Sequence, residues 1–190
     1  MFGSSAFTRK ISLLALSVLG AAETYQEQYR DQYHFSPAKN WMNDPNGMVY
    51  HKGLYHLYFQ YNPGGMTWGN ISWGHATSTD LLHWTEQPIA LEVRKDEDGN
   101  VMEYFYSGSV VVDTDNTSGF GTLGNPALVA IYTSSYAQNM TLQSGKSVIN
   151  GQESQSIAYS LDEGMTWTTY DAQNPVIQTP PEEYLSNDYL

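Results

Sequence analysis

Residues 160–167 read SLDEGMTW, and a stretch of the same design occurs earlier in the chain. Residues 75–85 read HATSTDLLHWT, whereas residues 157–168 read IAYSLDEGMTWT. The shared Ala, Ser and Asp positions are 82 residues apart, and the shared Trp positions are 83 residues apart. In each copy a predicted strand ends at Ser-x-Asp, the chain turns, and a new strand begins at Trp-Thr. The chain is therefore predicted to contain two copies of one β-unit.

The second copy has the Ser-x-Asp-x-Gly-x-Thr-Trp form of an Asp box. In such a turn the Asp side chain hydrogen-bonds the turn backbone and the Trp packs underneath. Asp162 is therefore predicted to stabilise the turn, with Trp167 beneath it, rather than to take part in catalysis.

Repeated four-stranded units of this kind build β-propellers. The chain has room for about two such units, whereas a propeller typically has four or more blades. Its 15 Tyr, 16 Gly and 8 Pro also favour β-structure with many turns. The predicted fold class is all-β: about two blades of a propeller, incomplete at the C-terminus. The predicted strands are Met48–Tyr50, Leu54–Gln60, Ser72–Ser78, Phe105–Val112, Leu128–Thr133, Ser156–Leu161 and Trp167–Tyr170.

The charge balance narrows the range of partners. Twenty acidic and eight basic residues give a net charge of −12 and a pI near 4.5. Because this surface repels phosphate backbones, nucleic acid is not expected as a partner, and a neutral ligand fits better. There is no cysteine, and the five histidines lack zinc-ligand spacing, so no cofactor or metal is predicted.

The N-terminus has the layout of an export signal. Arg9 and Lys10 precede an apolar run over residues 11–19 and a small-residue stretch over 20–22. Residues 1–22 are therefore predicted to be a signal peptide, and residues 23–190 the mature domain. The run is too short to span a membrane permanently; a buried N-terminal helix is the alternative. Three Asn-x-Ser/Thr sequons add to the prediction of a secreted, extracellular glycoprotein, at Asn70, Asn116 and Asn139.

Residues 40–47 read NWMNDPNG and place amide and aromatic side chains around one carboxylate. Pro45 restricts the backbone and Gly47 tolerates positive φ, so the local sequence taken alone is explained by a surface hairpin turn. The same stretch also offers what a sugar needs. Trp41 is a flat apolar plate, the asparagines supply donors and acceptors, and Asp44 supplies an acid group.

Three further clusters follow in order: FQYNP at 59–63, WGNISWGH at 68–75 and YFYSGS at 104–109. Together with the first motif they resemble glycoside hydrolase family 32. Residues 30–178 are most similar to its secreted fungal exo-inulinase members.

The resemblance implies a five-bladed propeller followed by a β-sandwich. It also implies retaining hydrolysis of terminal non-reducing β-D-fructofuranosyl bonds in inulin, levan and sucrose. Asp44 would be the nucleophile, and Asn43, Gln60, Trp68 and Ser107 would contact the fructosyl unit. Trp41 and Trp73 would shape the pocket, or serve as core aromatics. Tyr106 stands where the family usually has Phe.

Two expected motifs are missing. Retaining hydrolysis needs a second carboxylate as acid/base. In the family this Glu precedes a Cys, which the chain lacks, and the family's Arg-Asp-Pro motif is also absent. The chain alone is therefore predicted to be inactive. Invertase activity and a non-catalytic truncated product remain as alternatives, whereas a sialidase-like site is disfavoured because the chain has only three arginines.

Overall fold

The computed structural model describes residues 28–31 and 33–179, and within them the chain is all-β, without a helix. The eleven strands are β1 (Trp41–His51), β2 (Leu54–Asn62), β3 (Ser72–Ser78), β4 (Trp84–Leu91), β5 (Arg94–Lys95), β6 (Val101–Val112), β7 (Leu128–Tyr136), β8 (Met140–Thr141), β9 (Ser147–Val148), β10 (Glu153–Ser160) and β11 (Thr168–Thr169). The predicted signal peptide lies outside the described residues. Among those described, no helix is long and apolar enough to cross a membrane.

Two antiparallel sheets organise the chain. The first sheet has the order β1-β2-β3-β4, and the second has the order β11-β10-β7-β6-β5. A small ribbon of β8 and β9 lies apart from both. The predicted strands are confirmed, with shifted ends. The prediction missed β4 as a full strand because its sequence is polar and contains Pro88, which is tolerated here because β4 is an edge strand.

The repeated turn follows the same design in both sheets. In the second copy, Asp162 accepts hydrogen bonds from the backbone N–H and hydroxyl of Thr166 at 2.9 and 2.6 Å. The indole of Trp167 donates to the Gly164 carbonyl at 3.2 Å. In the first copy, Asp80 accepts from the backbone of His83 at 2.7 Å. The predicted structural role of Asp162 is therefore confirmed.

The main core lies between the two sheets. Tyr58 and Trp73 of the first sheet pack against Leu128 and Tyr132 of the second, and all four are at most 1% exposed. The opposite face of the first sheet has its own cluster around Phe59, covered in part by Phe35 and Trp84. The two sheets therefore pack face to face, and the sequence motifs come together where β1 of the first sheet meets β6 of the second.

Candidate active site

The Asn-Asp-Pro stretch lies inside β1 and not in a hairpin turn, which corrects the local reading of this motif. Met42 pairs with Tyr61 and Pro45 with Phe59, so Asn43 and Asp44 together oppose a single residue, Gln60. Such a two-against-one arrangement is a β-bulge, which re-aims side chains. Proline is tolerated because β1 is the edge strand of its sheet. The bulge therefore turns Asp44 outward.

A second irregularity in β1 is centred on Gly47. The ladder shifts between Asn46 and Val49, and Gly47 has a φ of +56°. A Cβ at this position would lie about 3 Å from side-chain atoms of Tyr58, Trp73 and Val110. Glycine is required here by both backbone conformation and close packing. It holds the motif directly against the core between the sheets.

Ser107 faces Asp44 from the second sheet. The β6–β7 ladder shifts between Tyr106 and Gly108, so a bulge falls at Ser107. A Cβ on Gly108 would collide with the carbonyl oxygen of Ile131, so only glycine fits beside this bulge. The Ser107 hydroxyl donates to Asp44 Oδ2 at 2.9 Å. Two bulges from two sheets thus set the direction of one carboxylate.

An open pocket of about 360 Å³ surrounds Asp44. All but one of the predicted catalytic and substrate-binding residues line it. The lining residues are Trp41, Asn43, Asp44, Gln60, Trp68, Tyr106, Ser107, Thr133 and Glu153.

The pocket walls combine a fixed amide with an exposed indole. Gln60 is 4% exposed, and its amide nitrogen donates to the Phe105 carbonyl at 3.0 Å. Trp68 is 56% exposed, and its ring centroid lies 5.7 Å from that of Tyr104. Amides that bond hydroxyls and an aromatic plate that covers C–H groups are the features that bind a polyol.

Trp73 is the exception among the predicted site residues. It is fully buried between the sheets, and its indole donates to the Tyr106 carbonyl at 3.0 Å. It therefore contacts the pocket only through the backbone of β6. Of the two roles predicted for Trp73, pocket wall and core aromatic, its burial supports the core role.

Three lining residues were not predicted as site residues: Tyr106, Thr133 and Glu153. Tyr106 lies within the motif at 104–109 and could have been predicted from it. Thr133 and Glu153 lie in no motif, and they reach the pocket because of the pairing of β6, β7 and β10.

Other acidic groups lie away from the pocket. Glu103 is buried, accepts from the Ser134 hydroxyl at 2.5 Å and lies 3.3 Å from the Arg94 guanidinium. Burial raises its pKa, although Arg94 acts in the opposite direction. Glu163 pairs with Lys52 at 2.6 Å. Within the described part of the chain, no three His, Cys, Asp or Glu side chains are placed to hold a metal ion.

The three sequon asparagines differ in their surroundings. Asn139 is exposed, and its Oδ1 accepts from the backbone of Asn150 at 2.7 Å. The Oδ1 of Asn116 accepts from the backbone of Gly121 at 3.0 Å. Asn70 is half-buried, and its Nδ2, the atom a glycan would occupy, contacts Asn62 at 3.5 Å.

Comparison with known proteins identifies the motif set. Residues 34–188 match the sequence profile described as the glycosyl hydrolases family 32 N-terminal domain. An extracellular exo-inulinase of Aspergillus niger is 60% identical over 176 residues, which make up 93% of this chain and 33% of that protein.

Solved structures give the same assignment. The crystal structure of an exo-inulinase from Aspergillus awamori superposes with a TM-score of 0.80 at 63% identity, covering 84% of this chain and 31% of that one. A fructofuranosidase from Schwanniomyces occidentalis complexed with fructose gives 0.65 at 46% identity, covering 79% and 27%. The chain thus spans about a third of the length of these relatives. It belongs to glycoside hydrolase family 32.

Proposed function

We propose that the chain is the nucleophile-bearing part of an exo-acting β-fructofuranosidase of the exo-inulinase type. Its reaction is hydrolysis, with retention, of terminal non-reducing β-D-fructofuranosyl bonds in inulin, levan and sucrose. The observation that carries the proposal is the Asp44 carboxylate, held by Ser107 in a pocket that Asn43, Gln60 and Trp68 also line.

The geometry suits a nucleophile. Ser107 donates to Oδ2 only, which leaves Oδ1 of Asp44 to attack the anomeric carbon. As that C–O bond forms, the glycosidic bond breaks, and the leaving oxygen takes a proton from an acid. Asn43 and Gln60 would bond fructosyl hydroxyls, and Trp68 and Trp41 would cover the sugar's apolar face.

The acid is the part that we do not assign within this chain. Glu153 is the other carboxylate that lines the described pocket, but it precedes Ser154 rather than a Cys. Without protonation of the leaving group, a loss of about 10²–10⁴-fold is expected. We therefore propose that the two sheets are two blades of a five-bladed propeller, and that the chain alone does not hydrolyse fructans.

A chimera tests the proposal. The matching N-terminal third of the Aspergillus awamori exo-inulinase would be replaced by this chain, and fructose release from inulin would be measured. The chimera is expected to release fructose, and Asp44→Asn is expected to abolish release, because the amide is a far weaker nucleophile. Asp98→Asn, the same change in an exposed loop away from the pocket, is the matched control and should retain activity. An Asp44→Asn chimera that remains active would overturn the assignment.

Invertase activity is the second candidate, favoured by the 42% identity to an invertase of Schwanniomyces occidentalis. The ratio of sucrose to inulin hydrolysis by the same chimera distinguishes the two. A non-catalytic sugar-binding product is the third candidate. It predicts that the chain alone binds fructose in calorimetry, that Trp68→Ala weakens this binding, and that the chimera gives no turnover.

Secretion and glycosylation belong to the same proposal. The Aspergillus relative is named as extracellular, and the sequons at Asn116 and Asn139 leave the glycan-bearing nitrogen out of their observed hydrogen bonds. Expression in a fungal host should give a secreted protein whose mass falls on enzymatic deglycosylation. Asn139→Gln should remove one glycan.

A further inference from the structure

Trp73 is buried, yet its side chain contacts both strands that carry the Asp44–Ser107 hydrogen bond. It lies in the core between the two sheets and is fully buried. Its indole N–H donates at 3.0 Å to the carbonyl of Tyr106, the residue before Ser107. The six-membered ring of the indole packs on β1, where a Cβ at Gly47 would lie 3.0 Å from Cζ3 of Trp73. One side chain of β3 therefore links the β1 motif to the β6 bulge.

A second side chain of the first sheet holds the preceding carbonyl of β6. The Gln60 amide nitrogen donates to the Phe105 carbonyl at 3.0 Å. Gln60 and Trp73 are cross-strand partners in the β2–β3 ladder, so their side chains lie next to each other on one face of the first sheet. Two neighbouring donors thus bind two successive carbonyls, those of Phe105 and Tyr106.

These two carbonyls would point in opposite directions in a regular strand. Successive residues of an antiparallel strand direct their C=O groups to opposite sides. Here the carbonyls of Phe105 and Tyr106 both accept from the first sheet, and the β6–β7 ladder shifts between Tyr106 and Gly108. The bulge at Ser107 is therefore held by donors of the first sheet as well as by its pairing with β7.

The hydrogen bond from Ser107 to Asp44 depends on the spacing between β6 and β1. The Ser107 hydroxyl donates to Asp44 Oδ2 at 2.9 Å. Hydrogen bonds between oxygens have lengths of about 2.5–3.0 Å, so a displacement of either strand by about 1 Å would break this one. Because Trp73 donates to β6 and packs against β1, its indole is placed to fix that spacing.

We propose that Trp73 is a positioning residue for the reaction, and that it keeps Ser107 and Asp44 at hydrogen-bonding distance. Trp73 is not among the residues that line the pocket, so it acts through β6 and β1 and not on the sugar. The proposal rests on the proposed function of Asp44 as the nucleophile. A core aromatic without this role would change only the stability of the fold, whereas a positioning residue also changes kcat.

Trp73→Phe in the chimera tests the proposal, because phenylalanine is aromatic but cannot donate to the Tyr106 carbonyl. Since a misplacement of about 1 Å can cost about 100-fold in rate, kcat on sucrose should fall roughly 10- to 100-fold with little change in KM. Trp167→Phe is the matched control. It removes an indole N–H that donates to the Gly164 carbonyl at 3.2 Å, beside the same core but away from the pocket. It should leave kcat unchanged.

The double variant Trp73→Phe/Ser107→Ala shows whether the two residues act together. Once the Ser107 hydroxyl is gone, Trp73→Phe should lower kcat by less than about threefold more, because coupled residues have non-additive effects. Independent, additive losses would overturn the proposal. So would an unchanged kcat in Trp73→Phe, or a loss that appears in KM alone.

A variant of the same shape guards against misfolding of Trp73→Phe. Benzothienylalanine at position 73 has sulfur in place of the indole N–H and keeps the size of the ring system, so it removes the donor without opening a cavity. Its kcat should fall as in Trp73→Phe, and circular dichroism checks that all variants fold alike. A kcat equal to that of the unmodified chimera would overturn the proposal.

Crystal structures of the chimera and its variants give a readout that does not require activity. The Ser107–Asp44 distance should exceed about 3.5 Å in Trp73→Phe, beyond the range of a hydrogen bond. It should stay near 2.9 Å in Trp167→Phe. A distance that stays near 2.9 Å in Trp73→Phe would overturn the positioning role. An inactive chimera in which the distance lengthens as expected would support the positioning of the pair and contradict the proposed function.

Discussion

The direction of the Asp44 side chain is set more by the neighbouring strands than by its own sequence motif. The bulge opposite Gln60 turns the residue out of β1, and the Ser107 hydroxyl from the other sheet holds one carboxylate oxygen. Family resemblance implied that Ser107 bonds the sugar, whereas the structure shows it bonded to the carboxylate. The two roles predict different kinetics.

Ser107→Ala in the chimera separates these roles. A hydrogen bond to a charged group contributes about 1.5–3 kcal/mol, so if Asp44 is the nucleophile, as proposed, losing this bond should lower kcat roughly 10- to 100-fold with little change in KM. Steady-state rates on sucrose measure both constants. Ser109→Ala, two residues along β6, should leave both unchanged. A raised KM with an unchanged kcat would instead mean that Ser107 contacts the sugar.

His56 and His75 form a buried pair that the motifs did not indicate. His56 Nδ1 lies 3.0 Å from His75 Nε2, and both residues are at most 1% exposed. Burial, together with the neighbouring His56, lowers the pKa of His75 to about 3, and burial also lowers the pKa of His56. His51 and Glu163 are the other titratable groups that act on the pair, with opposite effects. A hydrogen bond between the two facing nitrogens needs one nitrogen with a proton and one without, so both rings cannot become charged without breaking this contact.

This pair should make stability depend on pH. The folded pKa values lie below the unfolded value near 6.5, so the unfolded chain binds more protons in acid. Stability is therefore full above about pH 6.5 and is lost as the pH falls toward about 3, by at most roughly 1.4 kcal/mol per pH unit for each group. Urea unfolding at several pH values between these limits measures this loss. The free energy of unfolding of His75→Gln should fall less steeply with decreasing pH than that of the unmodified chain. His34→Gln, at an exposed residue away from the pair, is the control. An equally steep dependence of stability on pH for His75→Gln and the unmodified chain would contradict the account.

At the scale of strands and turns, features formed by contiguous residues could be predicted, whereas features formed by two paired strands could not. The Asp box was predicted because all its donors and acceptors lie within eight consecutive residues. The bulges in β1 and β6 were not predicted, because a bulge is a property of two paired strands. Proline and Asn-Gly look like turn formers until the pairing of β1 with β2 is known.

Gly108→Ala tests whether the β6 bulge depends on close strand contact. The added methyl group would collide with the backbone of β7, so we expect a loss of about 1–3 kcal/mol in the free energy of unfolding. Urea denaturation measures this loss. Gly124→Ala is the matched control, because a Cβ there meets nothing within 4 Å. Equal free energies of unfolding for the two variants would contradict this prediction, because β7 would then shift to accommodate the added methyl group at little cost.

At the scale of the whole molecule, the candidate active site lies where the two sheets meet. The first sheet supplies Asp44, the proposed nucleophile, and the second sheet supplies its hydrogen-bond donor Ser107 and part of the pocket wall. The second sheet also carries exposed apolar side chains, Val111 and Ile131 among them, on the face turned away from the first sheet.

The sequence by itself determined the all-β class, the repeated turn, the family and most of the pocket residues, because each is recognised from short stretches of contiguous residues. Only the tertiary structure decided that Trp73 is core, that Ser107 bonds Asp44, and that Thr133 and Glu153 reach the pocket. It also revealed the buried pair of His56 and His75. These features depend on which strands pair and in what register, and distant residues meet only when the two sheets pack together.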